Sequence, residues 1–532
     1  MTADLPVEDN LLIMKALRKL IVPVIALGIG LAAGYAIRAE AAETQTPTLK
    51  QMLDLMNAAL GYISEYYVEP TDKAELVQAA LKGMLSSLDP YSEFMTPKDK
   101  EELEEETSGE YSGVGMQVGL RDGWPTVIAP FDDSPAQKKG LRSGDKIIEI
   151  EGESTYGMGI NDVVKKLRGP EGTNVTIKVL KPGLNDPVEI TLTRAKIKIH
   201  PVPYYDLIEG GIGYIKMTSF SSDAAAELAA IIDTLDSRGM KGLILDLRGN
   251  PGGLLREAVD VSDVFLAKNS LIVSTRGRGT EDVINYFARN PEKLSLDVPM
   301  VVLVDQGSAS ASEIVAGALQ DWDRALIIGD TTFGKGLVQR VFPLDYNYAL
   351  RLTTSRYYTP SGRCINKITK LGGKETKDTT DMVFYTKRFE REVMSSDGIV
   401  PDVVIEPEKT KELTAKAIAD GGLFAFALKY TEKHKTLPSS GKIALTSADM
   451  AEFKKFLADR KLTFTECEWE ESYDQLKYWL EQDIAEKYWG LKGRYRQSLV
   501  GDPVVEEALK RLREARKTDD LFLAIGAGKA GK

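Results

Sequence analysis

Between residues 198 and 407, short apolar strands alternate with stretches of helical periodicity. Residues 212–217 read as a strand, Leu228, Ile231, Ile232 and Leu235 recur at helical spacing, 242–245 is apolar again, and 258–266 is helical. Parallel neighbours need a crossover between them, so this succession predicts an α/β domain with a largely parallel sheet. Residues 299–304, Pro-Met-Val-Val-Leu-Val, are apolar without alternation, which marks a strand buried on both faces. Leu350, Leu352 and Thr354 alternate within 349–358, an antiparallel addition.

Ser310 lies where the strand 299–304 gives way to a helix. It sits in Gly307-Ser308-Ala309-Ser310-Ala311-Ser312-Glu313, and Ile314, Val315, Ala318 and Leu319 follow at helical spacing. With Glu313 it forms an S-x-x-E capping box, so its plain reading is a helix N-cap. The same position suits a nucleophile. A helix start leaves N–H groups free, its dipole favours developing negative charge, and the Ala311 amide is a natural oxyanion donor. The chain has two histidines, His200 and His434, neither in a motif-like setting. A serine hydrolase built from these residues therefore needs a lysine as base.

Lys335, in Thr332-Phe333-Gly334-Lys335-Gly336, is the candidate. A lysine with its free pKa of about 10.4 is protonated at neutral pH, and burial lowers that value. Phe333, Gly334 and Gly336 allow close packing around the amine, and Gln339 can orient it without adding a charge. Residues 329–335 also fit the first seven positions of a Walker A loop. The eighth is Gly336 instead of Ser or Thr, and 337–343 reads as a strand where a helix is required, which sets the nucleotide loop aside. Asp246-Leu-Arg-Gly-Asn-Pro-Gly-Gly253 follows the apolar run 242–245. Pro251 has no N–H, so Gly252 or Gly253 must supply any second oxyanion donor from this loop. Its plain reading is an ordinary strand-to-helix turn.

These strings resemble the carboxy-terminal processing peptidases, also called tail-specific proteases. The resemblance rests on 307–314, on 332–336 with Gln339, on 246–253, and on Asp89-Pro-Tyr-Ser92 and Gly398-Ile-Val-Pro-Asp402, in order between residues 50 and 407. It implies a crotonase-like protease core. It assigns the nucleophile to the serine 25 positions before the lysine, which selects Ser310 over Ser308 and Ser312. It places the accompanying Gln and Glu on Gln339 and Glu313, and an aspartate sometimes grouped with them on Asp321. No cofactor is expected, and Cys364 and Cys467 fall short of the four ligands of a structural zinc site.

Residues 108–197 turn to strands. Ser112-Gly113-Val114-Gly115-Met116 opens them, Ser134-Pro-Ala136 and 140–145 follow, 160–167 is helical, and 175–180 and 188–193 alternate. This resembles a PDZ domain, which implies a peptide added as a strand with its terminal carboxylate on backbone amides. Gly113, Val114, Gly115 and Met116 would form that carboxylate loop, with Val114 and Met116 lining an apolar pocket. Arg168 lies in a Gly/Pro turn. Its plain reading is solvent exposure, and its functional one is a contact between PDZ domain and protease core.

Lys15, Arg18 and Lys19 precede an apolar run of 18 residues, 20–37, and Ala39-Glu-Ala41 follows. This predicts export to the periplasm or cell envelope, with 1–43 as a cleaved signal or an inner-membrane anchor. Residues 44–107 read as helical, and the resemblance implies that they pair subunits in a homo-oligomer. Five glutamates in 101–106 read as a solvated helix face or hinge. Residues 408–532 are charged and helical. Leu476, Leu480 and Ile484 form a stripe beside Trp469, Trp479 and Trp489, aromatics read as core. An oligomer contact, adaptor docking and a lid are the open roles of this extension. Net charge is −11 with no basic cluster, which argues against nucleic-acid binding.

The expectation is an exported serine endopeptidase that cuts polypeptides near free, apolar C-termini captured by a PDZ domain. The alternative is a PDZ scaffold or chaperone-like binder with an inactive protease core. Replacing both His200 and His434 should leave turnover of a polypeptide substrate intact. A folded but inactive double variant would return a histidine to the role of base.

Overall fold

The computed structural model describes residues 47–279, 282–367, 370–371, 374–375, 382–394 and 398–525. The apolar run 20–37 and its cleavage motif lie outside them. Among the described residues no helix is long and apolar enough to cross a membrane. The chain divides into two units, residues 1–83 and 84–532.

In the first unit the helix Leu49–Tyr66 starts at a capping box formed by Thr48 and Gln51 and buries none of its side chains. A second helix, Lys73–Ser86, begins after Pro70, as expected. The segment 44–107 is not a single helical piece, because Glu93–Met95 is a strand of the second unit.

The second unit is built on a six-stranded sheet. Its order is Tyr204–Ile208, Ile212–Lys216, Gly242–Asp246, Met300–Val304, Leu326–Gly329 and Val403–Val404. Only the first pair is antiparallel. The expected parallel α/β core is therefore present. Side chains alternate between its faces. Leu243, Leu245, Met300, Val302 and Val304 pack with the helices Ala224–Ser237, Leu255–Asp263 and Ala311–Asp321. Ile244, Val301 and Leu303 pack against Val505, Ala508, Leu512, Leu521 and Phe522 on the far side. Those five residues belong to the helices Pro503–Glu514 and Thr518–Leu523, so the end of the charged extension completes the core instead of standing apart from it.

A second, antiparallel sheet is centred on Ala349–Tyr358, which pairs with Glu93–Met95, Leu271–Arg276 and Leu337–Pro343. The β-rich domain is a third sheet, ordered Met116–Arg121, Trp124–Pro130, Lys146–Ile150, Asn174–Leu180 and Val188–Thr193. Met116–Arg121 is its edge, and the helix Ile160–Leu167 buries Val163 and Leu167 in its core. The helices between Glu412 and Ser498 form a core of their own around Phe426, Phe453, Trp469, Leu476, Leu480 and Ile484. Trp469 is buried, while Trp479 and Trp489 are partly buried against this core.

This helical body grips the β-rich domain. Lys487 Nζ donates to Ser143 Oγ at 2.7 Å and lies 3.7 Å from the Phe424 ring centroid. Burial pushes the Lys487 amine down to about 8. Arg460 pairs with Asp420 at 2.6 Å and with Asp122 of the β-rich domain at 3.3 Å.

Candidate active site

Ser310 precedes the first residue of the helix Ala311–Asp321 and has φ 54° and ψ −108°. A non-glycine residue at positive φ is uncommon and stores strain that its surroundings must hold. The principal holder is Glu313. Its side chain is fully buried. Oε2 accepts the N–H groups of Ser310 at 2.7 Å and Lys335 at 2.9 Å. Oε1 accepts the Thr332 hydroxyl at 2.6 Å and the Gly334 N–H at 2.7 Å. Burial pushes this carboxyl above its ordinary range, and the four donors pull it back only in part. One carboxylate thus ties the serine turn to the lysine loop. Tyr357 ties them again, since its buried hydroxyl donates to the carbonyl oxygens of Ser310, at 3.1 Å, and Lys335.

The neighbouring serines are otherwise engaged. Ser308 Oγ donates to the Leu247 carbonyl at 2.9 Å, and Ser312 Oγ donates to the Asn250 carbonyl at 2.8 Å. Both residues are fully buried. Ser310 is only partly so.

Lys335 is half-buried, and burial lowers its amine below the ordinary lysine value. The charge of Arg351 acts in the same direction, and Glu313 opposes them. The expected apolar neighbour, Phe333, is 47% exposed. The ring against the amine is Tyr91, with Nζ 4.8 Å from its centroid. Gln339 does not hydrogen-bond the amine. Its Nε2 donates to Thr353 Oγ1 at 3.2 Å, because Gln339 lies on a strand paired with Ala349–Tyr358.

Asp321 ends the helix that Ser310 opens. Eleven residues at about 1.5 Å each put it some 16 Å along the axis. It accepts from the buried guanidinium of Arg363 and, at 2.7 Å, from the Ser361 N–H. The structure does not bring it to Ser310.

The loop after Gly242–Asp246 packs directly on the serine. A Cβ on Gly252 would stand 2.8 Å from the Ala309 carbonyl oxygen and 3.0 Å from Ser310 Cβ. The fully buried Asn250 braces this contact. Its carbonyl accepts the Ala309 N–H at 3.0 Å, and its side-chain oxygen accepts the Gly252 N–H at 2.9 Å. That bond removes Gly252 from the oxyanion donors. Gly253, with φ 150°, and Ala311 keep N–H groups without a protein acceptor among the described residues. Asp246 and Arg248 form a bidentate pair that Asp502 extends at 2.8 Å. Burial would raise the Asp246 carboxyl, but Arg248 and Lys216 hold it well below the carboxylate range.

In the β-rich domain the Val114 and Gly115 carbonyls accept from Ala136 at 2.9 Å and Phe131 at 3.0 Å. The Val114 and Gly115 amides have no protein acceptor among the described residues. Gly113, Val114, Gly115 and Met116 are all buried. Gly115 has φ +74°, and a Cβ there would meet Ser134 Cβ at 2.4 Å. This loop opens the edge strand Met116–Arg121. Arg168 is not directed at the protease core. It pairs with Glu105 on the helix Pro97–Ser108 and lies 4.9 Å from the Tyr111 ring centroid. That acidic helix, read as a hinge, is the partner of Arg168.

Four family models match: peptidase family S41 over residues 211–373, a PDZ domain over 127–181, the activating protease CtpB N-terminal domain over 33–100, and the probable PDZ-protease C-terminal helical domain over 413–472. A carboxy-terminal-processing protease of Bartonella bacilliformis is 40% identical over 72% of this chain and 83% of its own length. Carboxy-terminal processing protease CtpA of Bacillus subtilis is 38% identical over 59% of this chain and 66% of its own length. Among solved structures, a photosystem II D1 C-terminal processing protease is 30% identical, covering 67% of this chain and 87% of its own, with a TM-score of 0.37.

The role of Asp321 can be separated from chemistry. Asp321→Ala leaves the Arg363 charge buried and unpaired, and should lower stability by about 3–5 kcal/mol in chemical denaturation. The folded fraction should keep its turnover number. Lost turnover at unchanged stability would place Asp321 in the reaction.

Proposed function

The chain belongs to the carboxy-terminal processing proteases of peptidase family S41 and is a serine-type hydrolase acting on polypeptides, and from this premise we propose a Ser310–Lys335 mechanism. The observation that carries it is the shared Glu313 carboxylate, which receives the backbone N–H groups of both residues.

Neutral Lys335 takes the Ser310 hydroxyl proton as the Ser310 oxygen bonds to the substrate carbonyl carbon. The carbonyl oxygen becomes an oxyanion and accepts from the Ala311 and Gly253 amides. The C–N bond breaks, the electron pair stays on nitrogen, and the Lys335 ammonium supplies the proton that frees the amine. Lys335, neutral again, draws a proton from water. The water oxygen bonds to the acyl carbon, the ester bond to Ser310 breaks, and the Lys335 ammonium returns its proton to the Ser310 oxygen, which leaves neutral Lys335 and a product acid that ionises to the new carboxylate.

Substrate capture rests on the β-rich domain. The unpaired amides of Val114 and Gly115, beside the edge of a sheet, suit a free C-terminal carboxylate and an added strand. Val114 and Met116 offer the last side chain an apolar wall. The Arg168–Glu105 pair ties this domain to the helix Pro97–Ser108. Export follows from residues 15–41, which carry a basic flank, an apolar run and an A-x-A-like site.

Ser310→Ala should abolish peptide-bond cleavage without loss of folding, whereas Ser308→Ala and Ser312→Ala should retain activity at reduced stability. Lys335→Ala and Lys335→Arg should both be inactive, because guanidinium does not deprotonate. Only the neutral amine is a base, so kcat should rise with pH along one lysine titration, centred below the free value because burial disfavours the charged form. Full activity in Ser310→Ala or Lys335→Arg would refute the mechanism.

Capture is tested separately. Peptides ending in a free carboxylate should bind tighter and be cleaved faster than the same peptides amidated, and Gly115→Val should erase the difference. Equal handling of acid and amide by the parent protein would refute tail recognition.

A further inference from the structure

The Asp89-Pro-Tyr-Ser92 string has no part in the chemistry above, yet it stands against the base. Lys335 Nζ lies 4.8 Å from the centroid of the Tyr91 ring, well inside the range of a cation–π contact. That ring is held by a rigid turn. Asp89 is buried, and its Oδ1 accepts the N–H groups of Tyr91 and Ser92, each at 2.8 Å. Its Oδ2 accepts the Ser92 hydroxyl at 2.7 Å. The turn is fastened to the strand Ala349–Tyr358, where the Thr353 N–H donates to Ser92 Oγ and Thr353 Oγ1 donates to Asp89 Oδ1, both at 3.1 Å. Gln339 Nε2 completes the chain by donating to Thr353 Oγ1 at 3.2 Å.

We infer that the Asp89–Ser92 turn is the positioning device of the base: the face of Tyr91 holds the Lys335 amine, and Gln339 acts on that lysine only through Thr353, Asp89 and Tyr91. The inference rests on Lys335 being the base. A four-carbon stem samples many rotamers, and a lysine free to wander meets Ser310 rarely. A carboxylate in place of the ring would hold the amine as well but would keep it protonated. A π face attracts the ammonium more weakly than a full charge does. It therefore fixes the side chain, tolerates the neutral form, and favours the ammonium produced when the Ser310 proton arrives.

The test is steady-state kinetics on a polypeptide substrate across pH, with the full chain carrying Tyr91→Leu, Tyr91→Phe, Gln339→Ala, or Tyr91→Leu with Gln339→Ala. Tyr91→Leu should lower kcat by about tenfold while KM stays within about twofold, the scale of one such contact. Tyr91→Phe keeps the ring and should stay close to the parent. The double variant should fall no further than Tyr91→Leu alone, because both changes break one chain. The acid limb of the pH profile should move to lower pH in Tyr91→Leu, since the ring had favoured the protonated amine, and should stay in place in Tyr91→Phe. Should Tyr91→Leu not fold, Thr353→Val carries the test, because it cuts the link and must make Gln339→Ala silent. Activity in Lys335→Ala would dispose of the base assignment itself. With Lys335→Ala inactive, an unchanged kcat in Tyr91→Leu, an equal loss in Tyr91→Phe, or losses that multiply in the double variant would overturn the inference.

Discussion

A carboxylate buried as deeply as Glu313 is strongly disfavoured unless its lone pairs are filled, and here four donors fill them. Those donors come from the two segments that carry the proposed pair: the Ser310 amide from one loop, and Thr332, Gly334 and Lys335 from the other. The desolvation of Glu313 and the geometry of the site are therefore one problem with one solution. If either loop moves away, a buried charge is left partly unpaired. The same constraint explains how Ser310 keeps φ 54°, since its N–H is held by Glu313 and its carbonyl by Tyr357.

The motifs arrange themselves around that carboxylate. Gly398-Ile-Val-Pro-Asp402 fixes Thr332 from behind: the Ile399 N–H donates to Thr332 Oγ1 at 2.7 Å, and the Thr332 N–H donates to the Ile399 carbonyl at 3.2 Å. A Cβ on Gly398 would stand 2.5 Å from the Thr332 carbonyl oxygen, so the close approach requires glycine. Asp402 anchors the string to the sheet by accepting the Ile327 N–H at 2.8 Å. Asn250 performs the matching task for the serine turn. Asn250 braces the turn that carries Ser310, and Asp402 anchors the string that holds Thr332 beside the lysine loop.

What was legible in the sequence is what depends on local pattern. The strand 299–304 reads directly because both its faces are buried and its apolar run is unbroken, and the serine turn and lysine loop read from their strings. What stayed hidden depends on contacts between distant segments. Thr353 and Ser92 are 261 positions apart, and nothing in either string shows that Tyr91 faces Lys335. Phe333 was the wrong ring for the same reason: adjacency in the chain does not fix the direction of a side chain in a turn. Asp321 stands apart from Ser310 on helix geometry, since the eleven residues that join the two also separate them. The extension from 408 onward divides unexpectedly, because an amphipathic helix shows that it has a buried face without showing what buries it.

The division of that extension links the β-rich domain to the core. Its last helices cover the far face of the parallel sheet, where Asp502, at the N-terminus of one of them, meets Arg248 in the loop that carries Gly252 and Gly253. Its earlier helices grip the β-rich domain through Lys487 and Arg460. The β-rich domain is thus held by this helical body and by its own Arg168, which pairs with Glu105 of the acidic helix Pro97–Ser108. That acidic helix touches the core too, since the Ser222 N–H donates to the Thr107 carbonyl at 2.9 Å. Some contacts of the β-rich domain are single ion pairs between partly exposed groups, as in Arg168 with Glu105 and Arg460 with Asp122, each worth about 1 kcal/mol or less. The core beneath is secured by two-sided apolar packing. In the proposed reading a peptide at Val114 and Gly115 would meet a domain joined to its neighbours partly by such polar contacts, while the Glu313 carboxylate is held by four hydrogen bonds.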